Sequence, residues 1–282
     1  MSKKIKLIAL DMDGTLFDNH SQITPENQKA IKAATDAGVH VAISTGRAYV
    51  GLPVELLCEL GVHYAITSNA AAIYRLPQKE CLYTSCMKAE TVCPIIRKLQ
   101  TKDVHFDAFI DGNCYGQHSL QPLIDRLQMP DSIKHYIKTS RSLTDDLADF
   151  ISSQELEVQK MIVNFYPDKN GIFVDRDAVA AILSEYPQIT YLSGGYHNLE
   201  FTKAGTTKAK GLQFLADLFG ITMEETMACG DTQNDMDMIS AAGIGVAMAN
   251  AKDDVKKMAD YVTLSNEESG VAHAIKKFVL EA

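Results

Sequence analysis

Two aspartates one residue apart, Asp11 and Asp13, are the side chains in this sequence best suited to chemistry. An ordinary aspartate has a pKa of about 3.9, so Asp11 is ionised at neutral pH and could attack an electrophilic phosphorus in line. Asp13, if negative charge nearby raised its pKa, could protonate the leaving oxygen and later deprotonate a water. The alternative is a turn with two solvated aspartates, and the remaining polar groups of the chain bear on that choice.

The segment before these aspartates positions them. Residues 5–10 form a short, mostly apolar run that is typical of a buried strand in a parallel sheet. Asp11 and Asp13 therefore follow the carboxyl end of a strand, where open α/β sheets bind their ligands. Gly14 comes next and permits a tight backbone turn.

Three further polar groups are predicted at the same edge of the sheet. Two of them follow other predicted strands, and one begins a predicted helix. They are Thr45-Gly46, Lys208 and Gly230-Asp231-Thr232-Gln233-Asn234-Asp235. The carboxyl ends of parallel strands meet at one edge of a sheet, so these residues can converge although they are distant in sequence. A lysine in the first turn of a helix opposes the helix dipole, which indicates a role outside the helix.

Several carboxylates in one cleft require a counterion. Two unit charges about 4 Å apart repel by roughly 4 kcal/mol at an effective dielectric near 20. Carboxylate oxygens and water suit Mg²⁺, so the sequence predicts a magnesium site. With Lys208, this ion could neutralise a transferring phosphoryl group, whose oxygens the Thr45 hydroxyl and the loop amides at Met12 and Gly46 could hold. A capped helix start is the structural alternative for residues 231–235.

The order of predicted elements indicates one interrupted domain. Strands and helices alternate over about the first 70 residues, give way to mixed helices and hairpins, and alternate again from Thr206. We expect an α/β core, a doubly wound and mostly parallel sheet, over residues 1–85 and 193–282. An α+β domain over residues 86–192 would be inserted into it.

Composition excludes several classes of protein. The 282 residues carry a net charge of −9, which disfavours a general nucleic-acid surface. No stretch has the length of a signal-peptide core or a membrane span, and the six cysteines lack C-x-x-C or zinc spacing. We expect a cytoplasmic monomer or homodimer, with reduced thiols and no nucleic-acid or membrane partner, that acts on a small phosphorylated metabolite.

Taken together, these segments resemble the haloacid dehalogenase superfamily of phosphatases, of the Cof type with a type IIB cap. The resemblance extends over nearly the whole chain, and all four family motifs occur in order. They are Asp11-Met12-Asp13-Gly14-Thr15-Leu16, Ser44-Thr45-Gly46-Arg47, Thr206-Thr207-Lys208, and residues 230–235 with the following 242–251.

The resemblance implies a role for each motif residue. Asp11 would be the nucleophile and Asp13 the acid and base, with Mg²⁺ bound by Asp11, the backbone carbonyl of Asp13, and Asp231. Phosphate would be bound by Thr45, Lys208 and Asn234, while Asp235 would support the metal or the lysine. Arg47 could reach a substrate oxygen or form a structural ion pair.

The resemblance also implies the reaction. It would be Mg²⁺-dependent hydrolysis of small phosphorylated metabolites through an aspartyl phosphate, with sugar phosphates as the leading class and flavin mononucleotide or pyridoxal phosphate as others. The insertion would be a mobile cap that selects the substrate. Two departures from relatives are Ala70, where glycine usually follows Asn69, and Lys203-Ala204-Gly205, where Pro-Lys-Gly is usual.

Two other functions use similar residues. A phosphomutase shares the nucleophile and the cap type, and it would retain the phosphoryl group on its product instead of releasing it to water. A phospho-acceptor module also gathers Asp, Thr and Lys around Mg²⁺, but it is far shorter. The second carboxylate, Asp13, argues for turnover.

Overall fold

The structure is a computed structural model that describes residues 4–194 and 197–281. It divides into two compact units. The first comprises the residues up to Arg47, Gly51–Tyr83 and the residues from Thr207 onward. The second comprises Ala48–Val50 and Thr84–Thr206.

The strands of the described residues are numbered in chain order. They are β1 (Leu7–Leu10), β2 (His40–Ser44), β3 (Tyr64–Thr67), β4 (Ala72–Arg75), β5 (Glu80–Thr84), β6 (His105–Ile110), β7 (Asn113–Gln117), β8 (Arg141–Thr144), β9 (Lys160–Asn164), β10 (Ile189–Ser193), β11 (Leu199–Lys203), β12 (Thr226–Gly230), β13 (Ile244–Ala247) and β14 (Tyr261–Val262).

The α-helices are numbered in the same way. They are α1 (Pro25–Asp36), α2 (Val54–Glu59), α3 (Ala89–Leu99), α4 (Asp131–Ser140), α5 (Leu147–Ser153), α6 (Arg176–Ser184), α7 (Lys208–Phe219), α8 (Met236–Ala241), α9 (Asp253–Met258) and α10 (Gly270–Ile275).

The first unit is built on an eight-stranded sheet in the order β14-β13-β12-β1-β2-β3-β4-β5. The pairs from β14 through β3 are parallel, and β4 is antiparallel to β3. Strand β1 is fully buried and lies at the centre, as its apolar sequence predicts. The predicted α/β fold with a doubly wound, mostly parallel sheet is confirmed.

Strand register sets the position of the polar edge. Leu10, the last residue of β1, pairs with Cys229 of β12 and with Ile43 of β2. Asp11 follows Leu10 by one residue and Thr45 follows Ile43 by two, so both lie at the same edge of the sheet.

The second unit contains a six-stranded sheet in the order β10-β11-β9-β6-β7-β8. Its pairs are antiparallel, except that β7 and β8 are parallel. One face of the sheet packs on α3, α5 and α6, with Phe106 and Ala108 of β6 in the core between them. Strands β6 and β7 are joined by a hairpin turn at Asp111-Gly112, with φ of 46° and 70° at the two residues, as a type I′ turn requires.

The inserted unit is longer than the sequence predicts. The expected end at residue 192 falls inside β10, which pairs with β11, and β11 in turn pairs with β9 of the six-stranded sheet. This hairpin therefore belongs to the insertion, which ends at Thr206.

No helix within residues 4–194 and 197–281 has the length and apolar character needed to cross a membrane.

Candidate active site

The loop after β1 is a compact turn held by its own backbone. The carbonyl of Met12 accepts hydrogen bonds from the amides of Thr15 and Phe17, at 3.3 and 2.8 Å. Gly14 has φ of 82°, and a Cβ atom there would overlap the carboxylate of Asp231. Glycine at this position therefore serves both the turn and the close approach of the β12 loop.

Lys208 connects two carboxylates at the centre of the site. It is the first residue of α7, and its Nζ donates to Oδ1 of Asp11 and to Oδ1 of Asp235, each at 2.6 Å. The lysine side chain is 0% exposed, and those of Asp11 and Asp235 are 6% and 0% exposed. The predicted convergence of Asp11, Lys208 and the β12 loop is therefore found in the first unit.

Burial and charge act in opposite directions on the pKa of Lys208. Burial would lower it, but the negative charges and hydrogen bonds of Asp11 and Asp235 outweigh burial and raise it above its ordinary value. The two carboxylates therefore favour the charged form of Lys208.

Asp231 is the third carboxylate of the site. Its Oδ1 accepts a hydrogen bond from the Thr15 hydroxyl at 3.1 Å. Burial and the nearby charge of Asp235 raise the pKa of Asp231 to about 7. The same two causes raise the pKa of Asp11 well above its ordinary value, although Lys208 opposes them. The site therefore holds more negative charge than its lysine can compensate.

Both oxygens of Asp235 are occupied within the protein. Oδ1 accepts from Lys208, while Oδ2 accepts from the amides of Asp231 and Thr232, each at 3.0 Å. The last bond is part of a capping box between Thr232 and Asp235. Asp235 thus caps a short helical turn, as the structural alternative predicts, and also bonds Lys208.

The donor set fits a hard divalent cation. Oxygen atoms of Asp11, Asp231 and Asp235 lie within 4.8 Å of one another. Fully ionised, these three carboxylates beside Lys208 leave two uncompensated negative charges, which a divalent ion would neutralise. Because the oxygens of Asp235 are already bonded, Asp11 and Asp231 are the side chains able to supply ligands. No described group bonds to Oδ2 of Asp11.

Asp13 lies outside this buried cluster. Its side chain is 55% exposed, and it forms a two-point ion pair with Arg47, in which Nε donates to Oδ2 at 2.8 Å and Nη2 to Oδ1 at 2.5 Å. Arg47 also donates to the carbonyl of Gly51 at 3.2 Å, and its guanidinium lies 5.2 Å from the ring centre of Phe17. Of the two roles expected for Arg47, the structure contains the ion pair.

The other predicted phosphate ligands lie at the same edge of the sheet. Thr45 directly follows β2 and is buried, and its hydroxyl accepts from the amide of Arg47 at 3.1 Å. Gly46 is in the same turn, and the amide of Met12 donates to no described group. The Oδ1 of Asn234 accepts from Thr232 Oγ1 at 2.6 Å.

Sequence reasoning missed three residues that shape the site. Thr15 lies inside the first motif but was given no role, and it bonds Asp231. Asn69 accepts from the carboxamide of Asn234 at 3.1 Å, and its position two residues after the end of β3 is a signal for a residue at this edge. Asn250 donates to the carbonyl of Gly14 at 2.8 Å, a contact that no local sequence pattern predicts.

Comparisons with known proteins agree with this geometry. A model of the haloacid dehalogenase-like hydrolase family matches residues 8–275. Phosphatase YwpJ of Bacillus subtilis is 31% identical, over 96% of this chain and 99% of its own. The 5-amino-6-(5-phospho-D-ribitylamino)uracil phosphatase YcsE of the same organism is 33% identical, over 98% of this chain and 96% of its own.

Solved structures give the same result. The structure of the HAD subclass IIB sugar phosphatase BT4131 matches with a TM-score of 0.77 and 28% identity, covering 97% of this chain and 98% of that one. With the family model and the phosphatase relatives, this means that the chain belongs to the haloacid dehalogenase-like hydrolases, as a phosphoric monoester hydrolase of the Cof type and subclass IIB.

Proposed function

We propose that this protein is a Mg²⁺-dependent phosphatase of small phosphorylated metabolites that works through an aspartyl phosphate on Asp11. The observation that carries the proposal is the buried Lys208, which bonds Asp11 and Asp235 at 2.6 Å each. A lysine between two carboxylates at the carboxyl edge of a parallel sheet is suited to hold a dianionic phosphoryl group next to a nucleophile.

The first half of the reaction begins at Asp11. Lys208 occupies Oδ1, so Oδ2 is the oxygen that attacks phosphorus in line while the bond from phosphorus to the leaving oxygen breaks. Asp13 gives its proton to that leaving oxygen. To do so it must leave Arg47, whose N–H groups occupy both oxygens of its carboxylate.

The second half regenerates the enzyme. Water attacks the phosphorus of the aspartyl phosphate, Asp13 takes the proton of that water, and the bond to Oδ2 of Asp11 breaks to release inorganic phosphate. Asp11, Asp231 and the backbone carbonyl of Asp13 would hold Mg²⁺. When bound, this ion supplies positive charge that stabilises the transferring phosphoryl group.

Phosphorylated sugars and sugar alcohols are the substrate class that we propose. YcsE is named for a substrate with a phosphorylated ribityl chain, and BT4131 is named a sugar phosphatase. Flavin mononucleotide and pyridoxal phosphate belong in the same screen. We also propose that the inserted unit selects among these substrates, and that the protein is cytoplasmic.

The test is the Asp11→Asn variant. It keeps the size of the side chain but removes the nucleophilic carboxylate, so phosphate release from a panel of phosphomonoesters with Mg²⁺ should fall to background. Near-normal activity of the purified variant would refute the mechanism. Transfer of ³²P to product, instead of its release to water, would indicate a phosphomutase.

A further inference from the structure

Three consecutive buried residues after β3 have left-handed backbone conformations. Ser68, Asn69 and Ala70 have φ of 52°, 58° and 73°, and none of them is glycine. Non-glycine residues adopt such angles singly and seldom, and a run of them persists only where the surrounding structure enforces it. Ala70 has the largest φ of the three, so this chain holds the left-handed conformation without the glycine that would favour it.

The backbone of this segment is bonded to the turn that follows β2. The amide of Ser68 donates to the carbonyl of Arg47 at 2.8 Å, and the amide of Asn69 donates to the carbonyl of Thr45 at 3.1 Å. The left-handed conformation therefore directs two successive amides at the loop that carries the predicted phosphate ligand Thr45.

The side chain of Asn69 is bonded to the loop that follows β12. Its Oδ1 accepts from Nδ2 of Asn234 at 3.1 Å, while Oδ1 of Asn234 accepts from Thr232. These two bonds fix both ends of the Asn234 carboxamide. A carboxamide nitrogen carries two hydrogens, so one N–H of Asn234 stays available for a ligand oxygen.

The segment also packs on the helix that carries Lys208. A Cβ atom on Gly211 of α7 would lie 3.0 Å from the Cβ of Ala70 and 2.6 Å from Cγ2 of Ile66. The glycine thus permits α7 to approach this segment closely. Residues 68–70 therefore contact all three elements that bring the predicted phosphate ligands together.

We infer that Asn69 is a positioning residue of the phosphate site, whose side chain aims the free N–H of Asn234 at a bound phosphoryl oxygen. This inference rests on the proposed phosphatase function and adds a residue to it. The alternative is that Asn69 serves only to keep the left-handed backbone after β3. Its side chain would then be dispensable for phosphate binding as long as that backbone conformation is kept.

The test is a double-mutant cycle with p-nitrophenyl phosphate as substrate and inorganic phosphate as inhibitor. Asn69→Gly keeps the left-handed backbone and removes the acceptor, and it should raise KM and the inhibition constant of phosphate by about three- to tenfold, with a smaller change in kcat. Asn234→Ala should do at least as much. Because the two residues act as one unit, the double variant should resemble Asn234→Ala within about twofold.

Two controls separate the side chain from the backbone. Lys79→Gly changes another left-handed residue, in the turn between β4 and β5, and should leave KM unchanged. Asn69→Ala also removes the acceptor oxygen, so its KM should equal that of Asn69→Gly. Because alanine disfavours the left-handed conformation, Asn69→Ala should be less stable than Asn69→Gly.

The outcomes are distinguishable. Three results would each overturn the inference. They are effects on KM that multiply in the double variant, an unchanged KM in Asn69→Gly, and a KM that follows stability across the Asn69 variants. If wild-type protein releases no phosphate from any phosphomonoester, the proposed function fails instead. In that case calorimetric binding of inorganic phosphate to wild type and Asn69→Gly still tests the positioning role.

Discussion

Asp231 should destabilise the metal-free protein at neutral and higher pH, so Asp231→Asn should stabilise it. Burial and the charge of Asp235 raise the pKa of Asp231 from 3.8 to about 7. In the unfolded chain this carboxyl loses its proton near pH 3.8, whereas in the folded protein it holds the proton until pH rises through about 7. Stability from this group is therefore present at low pH and lost as pH rises.

The size of the effect follows from the same shift. A difference of roughly three pKa units corresponds to about 4 kcal/mol of unfolding free energy. Asparagine has no titrating proton, and it keeps an oxygen that can accept from Thr15. The stability gain of Asp231→Asn should therefore be small near pH 4, grow as pH rises, and level off above pH 7.

The assay is urea unfolding, followed by circular dichroism from pH 4 to pH 9 in the presence of a chelator. Asp237→Asn is the matched control, because Asp237 is an exposed aspartate a few residues further along the chain. It should show the pH dependence of the wild type. Adding Mg²⁺ should stabilise the wild type and leave Asp231→Asn nearly unchanged, since ligand binding to the folded state adds stability.

Two results would refute this reasoning. One is an Asp231→Asn variant no more stable than wild type at pH 8 without metal. The other is a stability difference that does not change with pH, because uncompensated charge in the site could not then be its cause.

Two further perturbations have expected magnitudes. Lys208→Met leaves the buried carboxylates of Asp11 and Asp235 without their cation. It should lower the unfolding free energy by about 3–5 kcal/mol in metal-free protein at pH 7 and reduce the rate of phosphate release roughly 100-fold or more. A rate of phosphate release within about twofold of wild type, or an unfolding free energy within about 1 kcal/mol of it, would argue against a central role of this lysine. Gly220→Ala tests the fold alone: Gly220 ends α7 with φ of 66° and open space around its Cβ position. Strain of alanine in the left-handed conformation should lower the unfolding free energy by about 1 kcal/mol and leave phosphate release unchanged. A variant as stable as wild type would show that alanine adopts this conformation without strain.

These predictions share one physical origin. The site collects three carboxylates and one lysine in a buried place, an arrangement that costs folding free energy until a cation and a phosphoryl group enter. Stability and function should therefore respond in opposite directions to removal of a carboxylate, and in the same direction to removal of the lysine.

The sequence alone was sufficient for the core fold and for grouping several polar residues at one edge of its sheet. The apolar run at residues 5–10 and the alternation of elements around it predicted a parallel sheet, because buried parallel strands lack the polar alternation of half-exposed ones. Residues that follow such strands must meet at one edge, so Asp11, Lys208 and the loop after β12 could be grouped before any distance was known.

The inserted unit was harder to predict. Its hairpin turn at Asp111-Gly112 was readable, since the turn type depends on two adjacent residues. Its end was not, because β10 and β11 belong to the insertion only through pairing with β9, whose residues are distant in sequence. Local patterns contain no information on such a partner.

Which residues are present and which strand ends they follow is local information, and the sequence determined it. Tertiary structure decided how each side chain is used: Arg47 holds the carboxylate of Asp13, both oxygens of Asp235 are occupied, and Asn69 faces Asn234. The physical reason is that hydrogen bonds and ion pairs depend on ångström distances between segments far apart along the chain. Sequence spacing sets which of these segments can meet, and only packing sets how closely they do.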